Sequence, residues 1–127
     1  MIVVDTSAPV AIILGESAGR ACLTVLENES EVLMSAGTLA ELMIVAASRG
    51  LIHQVTTLID SLGFEIVNVN RSTAFAVGDA YRRWGKGLHP VGLNFGDCFA
   101  YVLAREHSCP LLCVGDDFAR TDVRSAL

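Results

Sequence analysis

Five acidic residues stand where strand ends and helix starts would gather them: Asp5, Glu41, Asp97 and the adjacent pair Asp116 and Asp117. Asp5 closes the apolar run Ile2-Val3-Val4, and the pair follows the apolar stretch from Leu111 to Val114 by one turn. Glu41 and Asp97 fall in the first turns of two helical stretches. In an open parallel sheet, the crevice for chemistry lies beyond the carboxyl ends of the strands, and helix N-termini favour negative charge. Carboxylates gathered there repel one another, which raises their pKa values and costs stability. A hard divalent cation that prefers oxygen ligands, Mg²⁺ or Mn²⁺, relieves the conflict. Such ions promote phosphodiester cleavage by activating water and by stabilising charge on the attacking and leaving oxygens. No Ser/His/Asp grouping competes, and no cysteine has an evident histidine partner.

Each acid also fits a purely local role. Asp5 suits a helix cap, Glu41 a capping-box acid, and Asp97 a helix-dipole acid. Asp116 and Asp117 suit an ordinary turn, and a single strand end seldom aims two neighbours at one site. The case for chemistry lies in the coincidence of all these acids at one edge of a sheet.

Strand-like and helix-like stretches alternate along the chain. Ile2 to Val4 reads as a buried strand, followed by a helix capped by Thr6 or Ser7, with Pro9 in its first turn and Gly15 at its end. Ser17 to Leu26 is a predicted helix and Val32 to Met34 a predicted strand. Thr38 is expected to cap a third helix that runs to Gly50, with Glu41 three residues on. Further helices are expected over Leu51 to Leu62, Ser72 to Trp84 and Phe95 to His107, and further strands over Phe64 to Val69 and Leu111 to Val114. The tail from Gly115 reads as a turn with one more strand or helix. No repeat or linker interrupts residues 1–127, so a single domain is expected. The alternation implies parallel pairing and an α/β fold, a three-layer α/β/α sandwich with a central parallel sheet.

Composition agrees with that frame. Hydrophobic residues make up 52% and charged residues 18%, which suits strands that are covered on both faces. A net charge of -5 argues against passive, charge-driven binding to nucleic acid, although bound cations would offset it locally. Cys22, Cys98, Cys109 and Cys113 form no CxxC pair and read as reduced thiols of a cytoplasmic protein. No signal peptide and no membrane span is expected.

On these residues the sequence resembles the PIN-domain family, and within it the VapC-type toxins of bacterial toxin–antitoxin pairs. The resemblance is carried by Ile2-Val3-Val4-Asp5-Thr6-Ser7, Ala40-Glu41-Leu42, Gly92-Leu93-Asn94-Phe95-Gly96-Asp97-Cys98, Gly115-Asp116-Asp117-Phe118 and Thr121-Asp122. It implies a Mg²⁺- or Mn²⁺-dependent endoribonuclease that acts on cellular RNA and is inhibited by a cognate antitoxin. Position by position, it implies Asp5 and Asp97 as metal ligands and Glu41 as the second acid. The fourth acid falls within Asp116 and Asp117. Asp116 is preferred here because it lies nearer the strand end. Asn94 matches a polar family position that orients Asp97 or a water.

Arg82, Arg83, Lys86 and His89 form the one local basic cluster, with Trp84 inside it, and Lys86 is the only lysine. Arginine contacts to phosphate and stacking on an aromatic ring suit single-stranded RNA. A solvated helix end with Trp84 in the core explains the same residues. Arg82, Arg83, Lys86, Asn94 and Thr6 are the candidates for substrate contact. The runs Ala11 to Leu14 and Leu42 to Val45 exceed one buried stripe, which suggests a homodimer face or a groove for an antitoxin helix.

Three other readings remain open. A housekeeping PIN nuclease in RNA processing shares every motif. A Mg²⁺-binding receiver-like signalling module needs its acidic pair after the first strand and a late lysine, neither of which is present. A metal-free binding module would not need the full acid set.

Overall fold

A computed structural model describes residues 1–127. Four strands and six helices follow in the order β1 (Ile2–Val4), α1 (Ser7–Leu14), α2 (Gly19–Asn28), β2 (Val32–Ser35), α3 (Ala36–Arg49), α4 (Ile52–Ser61), β3 (Glu65–Val67), α5 (Arg71–Trp84), α6 (Phe95–His107) and β4 (Leu111–Leu112). The strands form one sheet in the order β3-β2-β1-β4. All pairings are parallel, with Ile2 opposite Val32, Val3 opposite Leu111 and Leu33 opposite Glu65. This order differs from the 2-1-3-4-5 arrangement of receiver domains.

The central strands are apolar except for Ser35 at the end of β2, because both sheet faces are covered. Successive side chains on a strand point to opposite faces. Val3, Leu33 and Leu111 enter a core with α5 and α6, while Ile2, Val4, Val32, Met34 and Leu112 enter a second core with α1 to α4. The expected three-layer α/β/α sandwich is the observed fold. No single helix is long and apolar enough to cross a membrane.

Several boundaries differ from the sequence expectation. β2 runs on to Ser35, which pairs with Val67 of β3. The Ser35 side chain then accepts the Gly37 N–H at 3.2 Å and caps α3. Thr38 is therefore inside the helix rather than at its cap, and Glu41 closes no capping box. Neither Thr6 nor Ser7 caps α1 through its side chain. α2 starts at Gly19, not Ser17, because Gly19 packs on the end of α1, where a Cβ would come within 2.5 Å of the Ala11 carbonyl oxygen. β3 and β4 are shorter than expected, as suits the two edges of the sheet. The tail forms no helix and adds only an isolated parallel bridge, Ser125 to Leu111.

The Thr38 hydroxyl is fully buried and has no hydrogen-bond partner. A buried unpaired hydroxyl is destabilising. Thr38→Val keeps the shape and removes the group, so stability is expected to rise by about 1 kcal/mol, a few degrees in Tm. Calorimetry of the two proteins checks this, and a lower Tm in the variant contradicts it.

Candidate active site

The four-strand order makes β1 and β4 neighbours, so Asp5 and the segment that follows β4, far apart in sequence, come to the same edge of the sheet. Asp5 leaves β1 with its side chain 6% exposed. One of its carboxylate oxygens accepts both the Ser7 N–H at 3.0 Å and the Ser7 hydroxyl at 2.6 Å. The same hydroxyl accepts the Val114 N–H at 2.9 Å, which ties the end of β4 to the end of β1. The other carboxylate oxygen, Oδ1, is buried without a partner. Burial is the main cause that pushes the Asp5 carboxyl above its ordinary range, with Glu41 adding to it and the Ser7 bonds opposing it.

Asp97 sits in the first turn of α6 and is 7% exposed. The Asn94 side chain accepts the Asp97 N–H at 2.8 Å, and the Asp97 carboxylate accepts the Asn94 N–H at 2.9 Å. This reciprocal capping box fixes the carboxylate at the helix start. Its pKa is pushed up to about 6, chiefly by burial, and then by the charges of Asp5, Asp117 and Glu41 against the opposing bond from Asn94.

Glu41 arrives from α3, and two glycines let α3 and α6 come close. The Phe99 ring fills the space over Gly37, and the Glu41 carboxylate fills the space over Gly96. Thr6 donates its hydroxyl to Glu41 Oε1 at 2.7 Å. Asp5, Glu41 and Asp97 are thus near enough to shift one another's protonation. A Cβ at Gly96 would displace the Glu41 carboxylate, which can move because it ends a flexible side chain. Gly96→Ala is expected to lower activity about 10–100-fold through a misplaced acid while Tm changes by only a few degrees. Kinetics and thermal melts of the variant check this, and undiminished activity removes Glu41 from the site.

Asp116 and Asp117 are both exposed. Asp117 is the one whose charge acts on Asp97 and on Cys113. Asp116 instead lines a cavity of about 310 Å³ under the tail, beside Leu111, Phe118 and Arg124. The fourth acid therefore stays a proposal between the two, with Asp117 the one that counts among the charges on Asp97. Cys113 lies in the same acidic field, and burial with the charges of Asp5 and Asp117 pushes its thiol up to about 12.

No three of the His, Cys, Asp and Glu side chains converge tightly enough to enclose an ion as they stand. The donor set nevertheless suits a divalent cation. The groups whose charges act on Asp97 are all carboxylates, and the orphaned Asp5 Oδ1 is a buried oxygen of the kind such an ion takes.

The basic cluster divides. Trp84 is half-buried and donates its indole N–H to the Tyr101 hydroxyl at 2.9 Å, which donates to Asp122 at 2.8 Å. Arg83 lies 4.6 Å from the Trp84 ring and pairs with Asp122 at 3.5 Å, and His89 packs its ring against the indole. Trp84 therefore belongs to an internal network, and a stacking surface for RNA does not form there. Arg82 makes an exposed pair with Asp79 at 3.6 Å, whereas Lys86 makes no ion pair. Two parts of the site were not assigned a role from sequence: Ser7, which joins the ends of two strands, and Gly96, which makes room for Glu41. The Asp-Thr-Ser run carried a signal for the first, since a short hydroxyl side chain two residues after Asp readily bonds back to it.

The family model for the PIN domain matches residues 2–124. Ribonuclease VapC42 of Mycobacterium tuberculosis is 39% identical, over 98% of each chain. Among solved structures, the Mycobacterium tuberculosis toxin VapC20, described as cleaving the sarcin–ricin loop, superposes with a TM-score of 0.78 at 15% identity, over 97% of this chain and 96% of its own. VapBC2 from Rickettsia felis, bound to a DNA fragment from its promoter, gives a TM-score of 0.69 at 21% identity over 98% of this chain and 96% of its own.

Proposed function

The chain belongs to the PIN-domain family, and on that premise we propose that it is a Mg²⁺- or Mn²⁺-dependent endoribonuclease, the toxin of a type II toxin–antitoxin pair. One observation supports the metal and the chemistry: the charges of Asp5, Glu41 and Asp117 all act on the buried Asp97, and the buried Asp5 Oδ1 has no partner. Asp5 and Asp97 are the residues to hold the ion, with Glu41 and Asp117 completing the acidic wall. A bound Mg²⁺ or Mn²⁺ supplies activation of water and neutralisation of charge at the phosphate.

The chain's own residues prepare that site. Ser7 holds the Asp5 carboxylate in one orientation while leaving Oδ1 free. Asn94 does the same for Asp97. Thr6 is itself buried and holds the Glu41 carboxylate by its hydroxyl, so its proposed part in substrate contact is through Glu41. Lys86 and Arg82 are the cations available to phosphate, because an exposed pair such as Arg82 with Asp79 holds its partners only weakly. Arg83 is committed to Trp84 and Asp122 and contributes through that scaffold.

An antitoxin is the proposed protein partner, in keeping with the relative that forms a VapBC complex. Of the apolar helix faces, Leu42 is core, whereas Ile44 is 71% exposed and Leu14 and Ile52 are also uncovered. These residues suit a homodimer face or an antitoxin helix. The cytoplasm, where cellular RNA is found, is the proposed compartment.

The test is digestion of total RNA by the purified protein with and without Mn²⁺, followed by mapping of the cut ends. Discrete cuts that need the ion are expected. Intact RNA in the presence of Mn²⁺ overturns the ribonuclease reading.

A further inference from the structure

Apart from the cavity under the tail, residues of α5, of α6 and of the loop between them line a larger one. Its volume is about 540 Å³, and its walls include Val77, Gly78, Tyr81, Lys86, Asn94 and Phe95. That size lies in the range of small-molecule sites, about 300–1,000 Å³. Its nature is opposite to that of the crevice. No carboxylate lines it, its walls are apolar and aromatic, and its one charge is the Lys86 ammonium.

The two spaces share a wall. Asn94 lines the cavity, and the same residue holds Asp97 through two hydrogen bonds. One residue thus belongs both to the cavity wall and to the support of Asp97. Phe95, next in sequence, is 71% exposed, and its ring is set edge-on to Phe99 at 5.0 Å. Gly78 leaves the floor open, for nothing lies within 4 Å of where its Cβ would stand.

Resting on the ribonuclease reading, we infer that this cavity receives a base of the RNA adjacent to the cut, and that Gly78, Tyr81 and Phe95 set which base is accepted. Flat aromatic walls suit an unstacked base, and a cation at the rim suits its phosphate. The pocket thus determines sequence preference, while the acids determine the reaction.

Gly78→Leu fills the cavity without touching any acid. It also replaces a glycine within a helix by a strong helix former, so the fold is retained. Total RNA is digested with Mn²⁺ by the parent, by Gly78→Leu and by Gly78→Ala, the cut ends are sequenced, and each protein's mass in solution is measured by light scattering. The parent is expected to favour particular bases at one position beside the cut. Gly78→Leu is expected to lose that preference and about tenfold in rate at unchanged mass, and Gly78→Ala to fall between the two. Identical preferences and rates for the parent and Gly78→Leu overturn the inference. A dimeric parent that becomes monomeric on Gly78→Leu also overturns it and gives the cavity to a second copy of the chain. A parent that cuts no RNA removes the ribonuclease reading and this inference with it.

Discussion

Asp97→Asn is expected to reduce RNA cleavage by about 10²–10³-fold or more while making the metal-free protein more stable. The two effects have one cause. The carboxylate is buried at the start of α6 and raised to about 6 by that burial and by Asp5, Asp117 and Glu41. At neutral pH the chain holds it ionised at a cost, as it would any charge placed where chemistry rather than stability is served. Asparagine keeps the shape, and its side-chain oxygen can still accept the Asn94 N–H. The cap on α6 survives, and the repelling charge is gone. The expected gain in the presence of chelator is about 2 kcal/mol, whereas the lost charge removes ion and phosphate handling together. Urea unfolding in EDTA and single-turnover cleavage in Mn²⁺ measure the two sides. A variant that is both as active as the parent and no more stable would remove Asp97 from the site.

Removal of the ion gives the second large effect. Excess EDTA is expected to stop cleavage, and added Mn²⁺ or Mg²⁺ to restore it. Stability should follow with different pH slopes in the two states. Without metal, Asp97 has a folded pKa near 6, above its value in the unfolded chain, so the folded state binds more protons between about pH 4 and 6. Stability then falls as pH rises through that window, and Asp5, shifted in the same direction, adds to the fall. With Mn²⁺ at a hundredfold excess over its Kd, binding adds about 2.7 kcal/mol. Protons now compete with the ion for the same oxygens, so this increment fades as pH drops below 6. Melting curves from pH 4.5 to 7.5, with and without Mn²⁺, should therefore diverge as pH rises. Parallel curves, or cleavage that persists in chelator, would place the reaction on another mechanism.

The sequence made the frame legible because both-face burial leaves short apolar runs that nothing else explains, and because Gly15, Gly50 and Gly63 mark where helices end. It made the crevice legible for the same reason, since Asp5 follows one such run directly. What it left open depends on pairing across the sheet. Ser35 and Thr38 are equally good caps in isolation, and only the pairing of Ser35 with Val67 decides between them. The choice between Asp116 and Asp117 depends on the twist of one turn relative to Asp97, which spacing does not encode. Trp84 looked available to RNA because its partners, Tyr101 and Asp122, lie far along the chain.

The bond between Ser7 and Val114 has a consequence in time. A ribosome releases Asp5 and Glu41 well before β4, yet β1 has its outer neighbour, and Ser7 its clasp, only when residues 111 to 114 emerge. Domains mature from their first residues onward during synthesis, and here the bond that joins the two strand ends waits for residues about a hundred positions after Ser7.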